Sequence, residues 1–395
     1  MKAKWRSRIL LLALCLCWLL MLSGCWDRIE INDLALITGA AIDRTSSNEV
    51  DLSLQIYVPR AAGGGGSGMG DKGGSGSSNT FVLTSSGVNI ADALSHVQDK
   101  LSRKLFWGHA EVIIFGEEAA KLGIRDDVDY LMRAPQPRER AYIYVCRNKA
   151  RSVLAFQSTL ERDTSEVLRE LAKSKTTMSF TLAEVSEMLT EKADAFALPW
   201  LRELKPPNSA NIGSARYQNG TAIFKNGRMV GIVDEQTTRG LLWLRNEIEY
   251  GVVTVVPKGE EGTLSVQMLR SQTKLIPHIS DGKWSMTVRI HSENDTLQNT
   301  TSINLASSEA GVKKVELALE QDMKKQIRNA LKRIQLGMQA DVFDFAGEFH
   351  RAYPKIWQET ENDWDEQFPK VEVKIEPDAV LLRPGLSNVT ARTSD

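Results

Sequence analysis

The first 24 residues constrain this chain most, because they decide where the remainder folds. Lys2, Lys4, Arg6 and Arg8 form a basic head, and residues 9–22 follow without a charge. This order is typical of a secretory signal. The uncharged run is also shorter than the roughly 18 residues that a membrane-spanning helix needs. We therefore expect the chain to be exported and to fold outside the cytoplasm.

The uncharged run ends in Leu22-Ser23-Gly24-Cys25, which resembles a bacterial lipobox. In such a motif, small residues allow a peptidase to cleave before a cysteine whose sulfur already carries a diacylglycerol. The resemblance implies that residues 1–24 are a lipoprotein signal peptide and that Cys25 is the lipidated first residue of the mature chain. The alternative is an uncleaved signal anchor.

Charge and cysteine content narrow the class of protein further. Removing the four basic signal residues from the 49 Lys and Arg leaves a mature net charge of −5 against the 50 Asp and Glu. That balance indicates no nucleic-acid partner.

Cys15 and Cys17 leave with the signal, so Cys146 is the free thiol that remains if Cys25 is acylated. It ends an apolar run and is predicted to be a small buried hydrophobic residue.

Hydrophobic patterning predicts an α+β fold of three dissimilar domains. In the first, residues 25–205, strands at 34–42, 50–58, 112–115 and 140–145 alternate with helical patterns, which predicts a mixed sheet covered by helices. Residues 61–79 are rich in Gly and Ser and predict a mobile loop. They lack the Gly-Lys-Ser/Thr ending of a phosphate-binding loop. Pro206-Pro207 suggests a boundary near residue 205.

Two further units follow. Residues 206–303 form the predicted middle α+β domain, which contains a hairpin at Asn226-Gly227 and a helix capped by Asp234. Residues 304–395 form the predicted C-terminal α+β domain. It opens with a long amphipathic helix over 312–338, followed by a second helix starting at Asp341, core aromatic residues and a strand at 371–375.

No sequence pattern indicates catalysis, a metal or a cofactor. His109-Ala110-Glu111 resembles the His-x-Glu of zinc deaminases, but the Pro-Cys-x-x-Cys that completes such a site is missing. The other histidines are scattered without metal-ligand spacing, and there is no Gly-x-Ser-x-Gly. We therefore predict a protein that is not an enzyme; the alternative is an enzyme whose paired catalytic acids lie far apart in sequence.

Four groups of residues occur in order along the mature chain. They are Cys25-Trp26-Asp27-Arg28 with Glu30-Ile31; Gly108-His109 with Val112-Ile113-Ile114 and Arg138-Glu139-Arg140; Gly220-Thr221-Ala222-Ile223-Phe224-Lys225 with Gly231 and Thr238-Arg239-Gly240; and Asp341-Val342-Phe343 with Pro354-Lys355-Ile356-Trp357 and Trp364. Together they resemble the lipoprotein C subunits of spore germinant receptors, the Ger(x)C family.

The resemblance implies a three-domain lipoprotein on the outer face of the spore inner membrane. It would act beside integral-membrane A and B subunits in a complex that senses a nutrient germinant and starts germination. The family is not known for catalysis. Cys25 is the expected anchor, and Trp26, Asp27, Gly108 and His109 are family-motif positions, for which packing and turn geometry are the alternative explanation. The Gly/Ser insertion is longer than the family suggests.

Two other classes of protein stay open at this point. A solute-binding lipoprotein of a transporter would also be anchored, but it would enclose its ligand between two similar lobes, and these units look dissimilar. A cell-envelope hydrolase would need converging acids or a nucleophile in a cleft.

Overall fold

The computed structural model describes residues 33–57, 80–156, 161–175, 177–190, 193–204, 216–248 and 251–383. Within these ranges the chain has an α+β fold with two sheets. The predicted signal peptide (residues 1–24), Cys25, Trp26, Asp27 and the Gly/Ser segment 61–79 lie outside them.

The first sheet contains ten strands of the described ranges. They are β1 (Leu34–Arg44), β2 (Val50–Tyr57), β3 (Thr80–Gly87), β4 (Lys104–Phe106), β5 (Val112–Gly116), β6 (Tyr142–Cys146), β7 (Phe180–Thr181), β8 (Ala195–Leu204), β9 (Arg216–Lys225) and β10 (Arg228–Val233). Their order is β10-β9-β8-β6-β5-β1-β2-β3, with β4 beside β1 and β7 beside β6. The central strands β8, β6, β5 and β1 are parallel, and antiparallel strands extend the sheet on both sides.

Helices cover both faces of the parallel centre. They are α1 (Ile90–Gln98), α2 (Glu117–Leu122), α3 (Arg125–Arg133), α4 (Ala150–Leu154), α5 (Thr164–Lys173) and α6 (Leu182–Met188). All five residues of β5 are buried, as expected for a parallel strand packed on both faces. Ile113 and Phe115 face the main core, whereas Val112 and Ile114 face a smaller cluster with α4 and α5. The predicted mixed sheet with helical cover is confirmed.

The β9–β10 hairpin turns where the sequence predicted it. Asn226 and Gly227 have φ angles of 54° and 72°, as a type I′ turn requires. However, β9 pairs along its length with β8, so the hairpin belongs to the first sheet. Strand pairing therefore crosses the predicted limit at residue 205. Prolines mark a turn or connection, but they carry no information on which strands pair across it.

The second sheet contains four strands of the described ranges. They are β11 (Gly251–Val255), β12 (Leu264–Ser280), β13 (Lys283–Asn299) and β14 (Glu372–Arg383), in that order. The β12–β13 hairpin turns at Asp281-Gly282, whose φ angles are both positive. The Asp-Gly pair was a usable hairpin signal that the sequence analysis missed. β14 pairs in parallel with β13, so this sheet crosses the predicted limit at residue 303.

Five further helices complete the described fold. They are α7 (Glu235–Leu244), α8 (Glu309–Ala330), α9 (Phe345–Ala352), α10 (Pro354–Thr360) and α11 (Trp364–Gln367). Asp234 caps α7 as predicted, since its carboxylate accepts from the Thr237 N–H at 2.9 Å. The predicted helix over 312–338 is α8 continued by a π-helix, Leu331–Met338. Within the described residues, none of the helices has the length and apolarity to cross a bilayer.

The second C-terminal helix does not begin at Asp341 as predicted. It begins at Phe345, because the buried Asp341 carboxylate accepts hydrogen bonds from the Phe345 and Ala346 N–H groups at 3.1 and 2.7 Å. The predicted aromatic core is confirmed. Trp284, Phe349, Trp357, Trp364 and Phe368 are buried in contact with one another.

A buried ion pair ties α3 to the end of β1. The Arg44 guanidinium donates to the Asp127 carboxylate at 2.7 Å, and the Asp127 side chain is only 5% exposed. Burial outweighs the attraction of Arg44 and raises the pKa of Asp127 from 3.8 to about 6. The folded chain therefore binds this proton more tightly than the unfolded chain does.

The raised pKa predicts how stability depends on pH. The contribution of Asp127 to the free energy of unfolding is fully present below pH 3.8 and is lost as pH rises to about 6. It amounts to at most roughly 3 kcal/mol. Urea unfolding of wild type and Asp127→Asn between pH 4 and 7 measures it: the advantage of wild type over the variant should shrink as pH rises. An advantage that grows with pH would mean that the ion pair lowers this pKa instead.

Candidate functional site

Several connecting segments meet at one edge of the first sheet, among them the turn that contains Gly108 and His109. We call it the N-terminal edge: the start of β1, strand β4, the turn Trp107–His109 and residues 134–141. Leu34 pairs with Lys104, and Leu36 pairs with Phe106. Leu36 also lies opposite Tyr57, which pairs with Thr80. The chain toward Cys25 and both ends of the Gly/Ser segment therefore leave the described fold at this edge.

Gly108 and His109 form the turn that follows β4. The turn closes when the Ala110 N–H donates to the Trp107 carbonyl at 2.8 Å, and Trp107 is buried. A Cβ atom at Gly108 would lie 2.4 Å from the Phe106 ring, so only glycine fits without moving that ring. His109 is exposed, with its ring 6.0 Å from the Phe106 ring. Close packing therefore accounts for Gly108 but not for His109.

In the His-x-Glu motif of zinc deaminases the glutamate transfers protons. Glu111, which ends the similar His109-Ala110-Glu111 sequence, instead makes structural contacts. Its N–H donates to the Thr38 carbonyl at 2.8 Å, and its carboxylate forms an ion pair with Arg169. Across the ranges covered by the structure, no group of three His, Cys, Asp or Glu side chains is placed to hold a metal ion.

A groove of about 380 Å³ opens beside this turn, between α1 and the proline-rich segment after α3. Its lining is mostly apolar, with a few polar side chains: Ala91, Leu94, Ser95, Gln98, Lys104, Leu105, Trp107, Tyr130, Ala134, Pro135, Gln136 and Pro137. The Gln98 amide braces one wall, since it accepts from the Leu105 N–H and donates to the Arg103 carbonyl, both at 2.9 Å. No carboxylate, histidine or cysteine is among the lining residues. The groove can therefore bind, but it presents no acid–base pair.

A second cleft, of about 520 Å³, lies between α7, β12 and α9. Arg245 and Lys274 line it together with Asp344 and Glu348, so its walls carry both signs of charge. Arg245 is already bonded to the Val342 carbonyl and to Glu247. This cleft is polar and lacks a nucleophile held by a base.

The third group of motif residues lies where α7 and the first sheet meet the C-terminal helices. A Cβ atom at Gly240 would lie 2.2 Å from the Gln326 carbonyl oxygen of α8, and one at Gly231 would lie 2.5 Å from Met338 Cε. The Thr221 and Thr238 hydroxyls are 2.8 Å apart and join β9 to α7. These residue types are therefore explained by close approach of the elements.

Lys225 makes a polar link across the same joint. Its ammonium donates to the Gln339 carbonyl at 2.8 Å and pairs with Asp365 at 2.9 Å. Gln339 ends the π-helix in a left-handed conformation, with φ of 52°. Lys225 therefore joins the first sheet to the end of the π-helix and to α11, two positions that neighbour Asp341 and Trp364 of the fourth motif group.

Cys146 is fully buried at the end of β6, as the sequence predicted. Burial raises the pKa of its thiol well above the ordinary range, so little thiolate forms at neutral pH. The thiol therefore fills space in the core.

Comparison with known proteins gives two family matches, which together run from residue 27 to residue 385. Residues 27–203 match a family described as the spore germination protein N-terminal domain, and residues 219–385 match one described as spore germination B3/GerAC like, C-terminal. The gap between them contains the predicted boundary at residue 205, although β8 and β9 pair across it. The chain belongs to the Ger(x)C family of spore germination proteins.

Relatives and a solved structure agree with this assignment. The chain is 28% identical over 368 residues to the putative spore germination protein YfkR of Bacillus subtilis, covering 93% of this chain and 94% of the relative. It is 24% identical over 403 residues to the spore germination protein KC of the same organism, covering 96% and 97%. The crystal structure of the GerBC protein superposes with a TM-score of 0.58 at 17% identity, covering 89% of this chain and all of that chain.

Proposed function

We propose that this protein is the lipid-anchored, non-catalytic C subunit of a nutrient germinant receptor on the outer face of the spore inner membrane. It acts beside two integral-membrane subunits of the same receptor. The observation that carries this proposal is the pair of family matches, which starts at residue 27, two residues after the lipobox cysteine, and ends at residue 385. Relatives matched over more than 90% of their length are named as spore germination proteins.

The lipobox supports the tether. A single acyl chain gives only marginal membrane binding, whereas a diacylglycerol on Cys25 holds two chains in the bilayer. Tethering raises the effective concentration of this subunit beside its membrane partners. Weak protein contacts are then enough for assembly.

The side chains that line the two clefts suit binding better than acid–base chemistry. The groove at the N-terminal edge has no titratable side chain other than Lys104 and Tyr130, and the polar cleft has no nucleophile paired with a base. The two sheets also differ in strand number and order, so the described fold lacks the two similar lobes of a solute-binding lipoprotein.

Replacing Cys25 tests the proposal directly. Spores whose copy of the gene carries Cys25→Ala should lose the protein from the membrane fraction and fail to respond to one nutrient, while a nutrient-independent trigger still works. Germination is followed as the loss of optical density. Ser23→Ala is the matched control, because it keeps a small residue in the lipobox and should behave as wild type. Normal responses to every nutrient despite release of the protein would contradict the proposal.

A further inference from the structure

We propose that the N-terminal edge lies against the membrane and that Lys104, Arg138 and Arg140 bind the headgroups of anionic phospholipids. This inference rests on the proposed function, because it requires an acylated Cys25. The eight peptide units from Cys25 to Asp33 span at most roughly 28 Å when fully extended. Since Leu34 pairs with Lys104, the tether ends beside that side chain.

The charge of this edge differs from that of the whole chain. Strand β4 and segment 134–141 carry three basic residues and one acidic residue, and Asp33 adds one acid, while the mature chain is net acidic. Lys104 and Arg140 are exposed and Arg138 is half-buried. None of these three forms an ion pair with a carboxylate of the described residues, unlike neighbouring Arg133, which pairs with Asp129 at 2.8 Å.

Two segments that are distant in sequence bring these cations together. Lys104 and Pro137 line the same groove, and Arg138 follows Pro137. The Ala141 N–H donates to the Arg138 carbonyl, and the Tyr142 N–H donates to the Glu111 carbonyl, both at 2.9 Å, so segment 138–141 is held beside the turn. The cations therefore border an apolar surface with Trp107 and Tyr130 in its wall. A basic border around an apolar and aromatic surface suits the interface of an anionic bilayer.

The attraction should be measurable without the acyl chains. Each Lys or Arg close to an anionic membrane strengthens binding by roughly fivefold, and the effect falls off within a Debye length. Three such residues together account for roughly a hundredfold in affinity. In the anchored protein they would hold the N-terminal edge toward the lipid.

The test uses the mature chain, residues 25–395, with Cys25→Ser to remove acylation. Co-sedimentation is measured at low ionic strength with vesicles of phosphatidylcholine alone and with vesicles that also contain phosphatidylglycerol. Wild type should bind only the anionic vesicles and should be released by salt. The variant K104E/R138E/R140E should bind roughly a hundredfold more weakly. The matched control K274E/K283E/K355E reverses three basic residues of the second sheet and its adjoining helix, and it should bind as wild type does.

Neutral substitutions separate a charge effect from misfolding. K104Q/R138Q/R140Q should melt at the wild-type temperature and bind anionic vesicles with intermediate affinity. Equal binding to neutral vesicles, no binding to anionic vesicles, or equal weakening by both charge-reversed triples would overturn the inference. The acylated K104E/R138E/R140E chain should remain in the membrane fraction through Cys25. The inference can therefore fail while the receptor assignment stands, and the Cys25→Ala spores test that assignment independently.

Discussion

Replacing Gly240 with valine is expected to lower the free energy of unfolding by roughly 3 kcal/mol, at the upper end for an overpacked core. The Cβ atom would lie 2.2 Å from the carbonyl oxygen of Gln326 and 2.7 Å from its carbonyl carbon. Both are backbone atoms of α8, so no side-chain rotation can relieve the clash. The two helices would have to separate, which would open the joint between the sheets. Urea unfolding followed by circular dichroism measures the loss.

Gly337→Ala is the matched control for this prediction. Gly337 lies in the π-helix, and the nearest atom to its added Cβ would be the Lys332 carbonyl oxygen at 3.5 Å, an ordinary contact. The variant should be as stable as wild type or more stable by up to about 1 kcal/mol, since alanine favours helix over glycine. If Gly240→Val unfolds at the same urea concentration as Gly337→Ala, the helix crossing is not as close as described.

Removing the Asp341 carboxylate has the second of the two largest expected effects. One oxygen accepts from the Ala346 N–H at 2.7 Å and from Trp364 Nε1 at 3.1 Å, and the other accepts from the Phe345 N–H at 3.1 Å. Asp341→Ala leaves these buried donors without an acceptor, at a cost of about 1 to 3 kcal/mol each. Part of this is offset because the charge itself is buried, which raises the pKa of Asp341 to about 6. We expect a net loss of roughly 3 kcal/mol.

Asp341→Asn distinguishes the effect of side-chain shape on stability from the effect of the hydrogen bonds, because asparagine has nearly the same shape as aspartate. Asp341→Asn keeps one acceptor but turns an NH₂ group toward N–H donors, so its stability should fall between those of wild type and Asp341→Ala. Near-ultraviolet circular dichroism of the surrounding tryptophans, with urea unfolding, distinguishes the three chains. Glu348→Ala, which removes a half-exposed partner of Arg351, is the control and should cost less than about 1 kcal/mol. Equal losses for Glu348→Ala and Asp341→Ala would refute a special role for Asp341.

Features that depend on residues close together in sequence were predicted correctly, whereas strand pairings between distant segments were not. The Asn226-Gly227 turn, the Asp234 cap, the burial of Cys146 and the aromatic core depend on local conformation or on hydrophobic pattern, and all were predicted from the sequence. The pairing of β8 with β9 and of β13 with β14 was not, because each depends on a partner whose choice is not encoded near either strand.

The candidate site shows the same division. The four motif groups were visible in the sequence, and they indicated a family. The sequence did not show why each position needs its residue type. A side chain at Gly108 would clash with the Phe106 ring, and one at Gly240 would clash with the backbone of α8. The groove at the N-terminal edge was also missed, because its walls come from α1, the turn at Trp107 and the segment after α3. A hydrophobic pattern marks each wall as apolar without indicating that the walls meet.

The sequence by itself determined the predicted export signal, the lipobox, the α+β class and the family resemblance, because each is a property of residue types at short spacing. Only the tertiary structure decided that the chain toward Cys25, both ends of the Gly/Ser segment and three cations without an ion-pair partner among the described residues share one edge of the first sheet. That arrangement follows from parallel strands, whose N-terminal ends must meet at the same edge once long-range pairing has set their order.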